Sequence, residues 1–144
     1  MSAVLYRRAV LADVEQLIAL RLAMHEEIGK SGDDPARLRA YFERTIASEV
    51  FIGWLACEGE RTVACSGLVL YDPPAGKTAY LMNMYTVPSH RGRGVAGELV
   101  RRQLDEAHAR GAVWIRLRAE PKARPVYERA GFLARANEME RRVQ

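Results

Sequence analysis

Apolar positions along the first fifty residues change spacing twice. Val4 to Arg8 reads as a short strand, and Val14, Leu17, Ile18 and Leu22 then fall on one helical face with Asp13 near the helix start. Gly29 to Gly32 breaks that helix. Asp34 followed by Pro35 predicts a cap and first-turn pair, and Leu38, Tyr41, Phe42, Thr45 and Ile46 predict a second amphipathic helix.

The middle of the chain has strand character. Phe51 to Cys57 and Thr62 to Leu70 are rich in β-branched and aromatic residues, and Glu58-Gly59-Glu60-Arg61 between them predicts a hairpin. Asp72-Pro73-Pro74-Ala75-Gly76 predicts another turn, and Ala79 to Val87 a third long strand stopped by Pro88. Helical spacing then returns. Ala96, Leu99, Val100, Gln103, Leu104 and Ala107 trace one face of a helix ending at Gly111, with Glu98–Arg102 and Arg102–Glu106 spaced as i,i+4 pairs opposite. Val113 to Ala119 alternates apolar residues with Arg116 and Arg118, as a half-exposed strand does. A short helix from about Ala123 to Ala130 closes on Gly131, and the stretch from Phe132 to Val143 is expected to supply one or two final strands. The order is β-α-α-β-β-β-α-β-α-β, a mixed α/β arrangement.

At 144 residues, with no repeat, low-complexity stretch or linker, residues 1–144 read as a single domain. A composition 49% apolar and 28% charged is that of a globular chain rather than a disordered one. No apolar run approaches the roughly 20 residues that span a bilayer, and no secretory signal is recognised, so the expected location is cytoplasmic with no membrane partner. Cys57 and Cys65 lie in apolar strand-like segments and are expected to be buried free thiols. The net charge of +4 invites a nucleic-acid partner, but the arginines are spread along the chain with no basic run, which argues for no nucleic acid and for a local phosphate-binding cluster.

The segment after the third long strand concentrates that chemistry. Gly92 and Gly94 permit positive φ and let main chain approach a ligand. Helix begins at about Val95, so its unpaired first-turn N–H groups and the positive end of its dipole face this loop, beside Arg91 and Arg93. Such a site suits a diphosphate. Gly92-Arg93-Gly94-Val95-Ala96-Gly97 also satisfies G-x-G-x-x-G, with Glu120 after the next strand where a ribose-binding acid would stand. Against a dinucleotide fold, Pro88-Ser89-His90-Arg91 delays the first glycine, and too little chain follows for a second mononucleotide-binding half.

Val87-Pro88-Ser89-His90-Arg91-Gly92-Arg93-Gly94-Val95-Ala96 resembles motif A of the GNAT (Gcn5-related) N-acetyltransferases, whose R/Q-x-x-G-x-G/A pattern is met by Arg91, Gly94 and Ala96. Arg124-Pro125-Val126-Tyr127-Glu128-Arg129-Ala130-Gly131-Phe132 resembles motif B of that family, after an intervening helix and strand. The resemblance implies the GNAT acyl-CoA N-acyltransferase fold: a mostly antiparallel sheet with a splayed parallel strand pair, flanked by four helices. It implies acetyl-CoA as acyl donor, no metal, and direct transfer to a primary amine. Main-chain amides of Arg91, Gly92, Arg93, Gly94, Val95 and Ala96 would bind the pyrophosphate, and Tyr85, Thr86 and Val87 would pair with the pantetheine arm beside a bulge in that strand. An asparagine often found near motif B to hold the pantetheine is replaced here by Glu120-Pro121-Lys122.

Tyr127 is the family-matched proton donor to the leaving thiolate, since a phenol with a reference pKa near 10 is protonated at neutral pH. For the general base the sequence leaves His25, Glu26, Glu27, or a water relay involving Asn83 or Tyr85 open. His25, His90 and His108 are too scattered for a metal site, and His90 is expected either to face solvent or to touch the donor. The expected partner is a small-molecule or peptide amine, and exposed strands near the meander or the C-terminal stretch allow a homodimer. A non-catalytic acyl-CoA-binding regulator on the same fold is the alternative.

Overall fold

The computed structural model describes residues 3–144. Five strands form one sheet in sequence order: β1 (Val4–Arg8), β2 (Phe51–Glu58), β3 (Arg61–Tyr71), β4 (Thr78–Thr86) and β5 (Trp114–Leu117). The first four pair antiparallel, and β5 joins β4 in parallel. Parallel neighbours need a crossover. Here it is the long helix α3 (Val95–Ala109), laid across β2, β3 and β4.

Helices α1 (Val14–Glu27) and α2 (Pro35–Ala47) cover the opposite face. Asp34 caps α2 by accepting from Ala36 N–H at 3.1 Å, with Pro35 in the first turn. Asp13 stands at the start of α1 but does not cap it. Its carboxylate instead takes both terminal nitrogens of Arg7 (2.8 and 2.7 Å) and Val10 N–H (2.8 Å), tying β1 to the helix start. Leu17, Ile18, Phe42, Phe51 and Leu55 fill the layer under α1 and α2. Ile52, Leu68, Leu81 and Val100 fill the layer under α3, where the short helix α4 (Arg124–Arg129) also packs. A Cβ at Gly67 would stand 2.3 Å from the Phe51 ring, so glycine there makes room for the aromatic.

Two expectations are corrected. The segment after Phe132 forms no strand, and β5 ends at Leu117, so its outer edge lacks the ladder that would organise a further strand. Glu140 does reach Arg118 at 2.9 Å, but both side chains are largely exposed and such a pair orders little. Arg102 pairs with Glu98 (3.0 Å) as its spacing predicts, but not with Glu106. Glu106 turns inward to Trp54 Nε1 (3.2 Å), Arg8 (3.3 Å) and Arg110 (3.2 Å), while the Arg102 guanidinium lies over the rings of Tyr6 and Trp54. Cys57 and Cys65 are buried free thiols, as expected. Among the described residues no helix is long and apolar enough to cross a membrane.

Candidate active site

The site begins where the sheet comes apart. β4 pairs with β5 from Thr78↔Trp114 to Leu81↔Leu117 and no further. Across from it, the β3–β4 register slips between Cys65↔Tyr85 and Gly67↔Met82, so Asn83 and Met84 together oppose Ser66. That is a β-bulge. Asn83 adopts φ +54°, a conformation that asparagine tolerates better than most residues. The bulge is held from both faces. On the α1 side Asn83 Oδ1 accepts from Arg21 Nη1 (3.2 Å), and the Asn83 carbonyl accepts from Cys65 Sγ (3.2 Å). On the α3 side the Ser66 hydroxyl accepts from Gln103 Nε2 (2.9 Å), which also donates to Ile52 C=O (3.0 Å). Gln103 is fully buried, which explains an amide on the apolar face of α3. Beyond Leu81 the free edge of β4 runs to Thr86. Val87 N–H donates to Val63 C=O (2.9 Å), so strand alternation turns the main-chain groups of Thr86 to the open edge.

The chain then makes a 3₁₀ turn (Pro88–His90) and enters the glycine loop. Gly92 and Gly94 have φ +74° and +78°, and a Cβ at either would meet nothing within 4 Å. Backbone conformation, not crowding, therefore calls for glycine at both. Gly94 caps α3 without any side-chain bond, and among the described residues no main-chain carbonyl outside the helix accepts from Gly92, Arg93 or Gly94 N–H. Together with the first turn of α3 these form a run of unpaired donors, which fits a diphosphate. Gly97 touches nothing through a Cβ either, so the close helix–strand contact of the third glycine in a dinucleotide fold is missing.

Arg91 does not aim into that cradle. Its Nε donates to Thr86 C=O (2.9 Å), its terminal nitrogens grip Glu27 at 2.7 Å each, and its guanidinium lies 5.5 Å over the Tyr85 ring. Tyr85 OH donates to the same carboxylate at 2.9 Å. The Arg91 guanidinium, helped by the Tyr85 hydroxyl, holds the Glu27 carboxyl down to about 2. Burial raises Tyr85, and its bond to Glu27 raises it further. His90 faces neither solvent nor the loop. It is buried, with Ser89 Oγ 2.8 Å from Nδ1 and the Glu58 carboxylate 3.3 Å from Nε2, because the 3₁₀ turn points it at the end of β2.

Tyr127 stands on α4, buried against Phe132 with the ring centroids 5.9 Å apart. It lines a cavity of about 470 Å³ between β5 (Ile115, Leu117) and the segment after α4 (Phe132, Leu133, Asn137), with no β4 residue in its wall. Its hydroxyl has no hydrogen-bond partner among the described residues, and burial pushes its pKa up. At the end of α1, His25 Nδ1 lies 2.9 Å from Asp33, which also binds Arg21 Nε at 2.7 Å. Sequence reading missed Arg21, the double role of Glu27, and the Ser66–Gln103 anchor. One signal was available for the bulge, since asparagine between two methionines is an odd strand residue that suits a left-handed break.

A splayed parallel pair, a bulge at its mouth and a glycine loop opening a helix recur together in one family. The Acetyltransferase (GNAT) family matches this chain over residues 15–132. The chain is a GNAT acetyltransferase. A crystal structure of a predicted acetyltransferase with acetyl-CoA from Clostridium acetobutylicum superposes with TM-score 0.90 at 28% identity, covering 97% of this chain and 96% of that one. A GCN5-related N-acetyltransferase from Ralstonia eutropha JMP134 gives TM-score 0.84 at 28% identity over 98% and 99%. At 13% identity, glucosamine-6-phosphate N-acetyltransferase from Arabidopsis thaliana shares the fold with TM-score 0.81 over 99% of each chain. No curated protein matches the sequence. The GNAT fold here comprises the five-strand mixed sheet with its parallel β4–β5 pair and four helices.

Proposed function

We propose that residues 1–144 act as one catalytic domain that moves an acetyl group from acetyl-CoA to a primary amine, small-molecule or peptide, by direct attack. The observation that carries this reading is the continuity of the open β4 edge, from the bulge at Asn83, with the unpaired N–H groups of the glycine loop. Strand edge and loop together offer donors and acceptors for an amide-bearing arm that ends in a diphosphate. The relative from Clostridium acetobutylicum, crystallised with acetyl-CoA, supports the same donor.

Main-chain N–H groups from Gly92 to Ala96 hold the diphosphate, with Arg93 adding charge; Arg91 N–H, expected to join them, is instead given to Pro88 C=O at 3.3 Å. The open edge at Tyr85, Thr86 and Val87 orients the pantetheine arm. Acetyl-CoA, when bound, supplies an activated acyl carbon and a thiol leaving group. A main-chain N–H at the bulge, braced by Asn83 and Ser66, serves as the donor to the carbonyl oxygen where negative charge develops. Tyr127, kept protonated by burial, gives its proton to the departing sulfur. The amine must lose a proton before it attacks. Glu27 is too weak a base for that while Arg91 holds it near 2, so the proton passes to water or to His25, whose Nδ1 lies 2.9 Å from Asp33. Cys65 is no nucleophile, because burial pushes its thiol up to about 12.

A panel of amines assayed for release of free CoA thiol tests the reading. Thiol release that requires both acetyl-CoA and one class of amine is expected. Acetyl-CoA binding without release for any amine would replace catalysis by the binding-only alternative.

A further inference from the structure

The end of α1 and the connection after it reach both lips of the splay. On the β4 lip, Glu27 accepts from Arg91 at 2.7 Å through each carboxylate oxygen and from Tyr85 OH at 2.9 Å. On the β5 lip, Lys30 Nζ lies 3.9 Å from Glu120, just past the strand. Further along the connection, Asp33 is tied back to Arg21 (2.7 Å) and His25 (2.9 Å). The segment 27–34 is therefore a strap that is fastened to β4 through Glu27 and only lies near the β5 side, since the long, exposed Lys30–Glu120 pair orders little.

The β4 fastening uses groups that the donor would also need. Arg91 directs its charge toward α1, away from the unpaired N–H groups of the loop, and its Nε occupies the Thr86 carbonyl at the open edge. A bound diphosphate draws the same guanidinium toward the loop, and a pantetheine amide competes for the same carbonyl. The carboxylate and guanidinium side chains are 41% and 43% exposed, so water can take over their hydrogen bonds when the pair opens. We infer that Glu27 is a positioning residue that latches the end of α1 to the donor loop in the free protein, and that donor binding releases it and frees the strap.

The inference rests on the proposed donor site, and two measurements separate the two ideas. Calorimetric titration with CoA compares the wild type, Glu27→Gln and Glu43→Gln, the last removing the same charge from an exposed position on α2. If a latch must open before the donor is held, Glu27→Gln tightens CoA by about three- to tenfold while Glu43→Gln matches the wild type. A residue that merely supports the fold would weaken binding or leave it alone when replaced. Amide hydrogen exchange gives the second readout. In the wild type CoA should speed exchange across residues 28–34, whereas in Glu27→Gln exchange there should be fast already and indifferent to CoA. Unchanged or weaker CoA binding by Glu27→Gln overturns the latch, as does a strap that CoA slows or leaves unaltered in the wild type. A wild type that binds no CoA overturns the donor site and the latch together.

Discussion

Arg21 Nη1 donates a 3.2 Å hydrogen bond to Asn83 Oδ1, fastening α1 to the residue of β4 that sits in the left-handed region. The bond joins α1 to the bulge where β4 leaves β5. Asn83→Ala removes it and places a less tolerant residue at φ +54°. We expect a loss of about 1–3 kcal/mol in urea unfolding, with turnover falling because the bulge shifts. Asn83→Gly relieves the backbone but not the lost bond, so its stability should fall between alanine and wild type.

Tyr127→Phe keeps the ring against Phe132 and deletes only the hydroxyl. If that hydroxyl protonates the leaving sulfur, kcat should drop by roughly 100-fold or more, while acetyl-CoA affinity barely moves. Because burial raises its pKa, the Tyr127 phenol stays protonated through neutral pH, and its loss of a proton should limit the rate only on the far alkaline side. Steady-state kinetics from pH 6 to 10 check both points. Turnover unchanged by the substitution would return Tyr127 to a packing role.

Asp13 stabilises the junction of β1 and α1 in a pH-dependent way. Its hydrogen bonds to Arg7, and that from Val10 N–H, hold the Asp13 carboxyl below its usual value. A carboxyl depressed on folding contributes stability above its unfolded pKa, about 4, and loses it as pH falls through the lower folded value. Asp13→Asn should cost about 1–2 kcal/mol at pH 7, discounted for the half-exposed Arg7, and the gap from wild type should narrow below about pH 4. Thermal melts of both proteins at pH 7 and pH 3 measure this.

Much of the scaffold was legible because each element carried its own period and punctuation. Asp34-Pro35 announced α2, Gly59 the hairpin, and Gly92 and Gly94 the loop, since each answers to local backbone chemistry. The motif pair identified the family for the same reason. What could not be read were contacts between distant residues. Glu27 looks like a solvated helix end until α1 lies against Arg91 and Tyr85, and Gln103 looks like a flaw in an apolar face until Ser66 and the Ile52 carbonyl meet it. His90 was misread because its direction depends on the 3₁₀ turn, which Pro88 only hinted at. The segment after Phe132 is rich in Arg, Glu and Ala with a single β-branched residue, Val143, and it has neither the pattern nor the paired neighbour that a strand needs.

The central claim is that the loop from Gly92 to Ala96 holds the diphosphate of acetyl-CoA through its main chain. Calorimetric titration of acetyl-CoA into wild type and Gly94→Val tests it most directly, because valine cannot comfortably adopt φ +78°, while a Cβ there would meet nothing within 4 Å. Saturable one-site binding by the wild type is predicted, with at least a tenfold loss, or about 1.4 kcal/mol, in the variant. A wild type that fails to bind, or a Gly94→Val protein that stays folded and binds equally well, would contradict it.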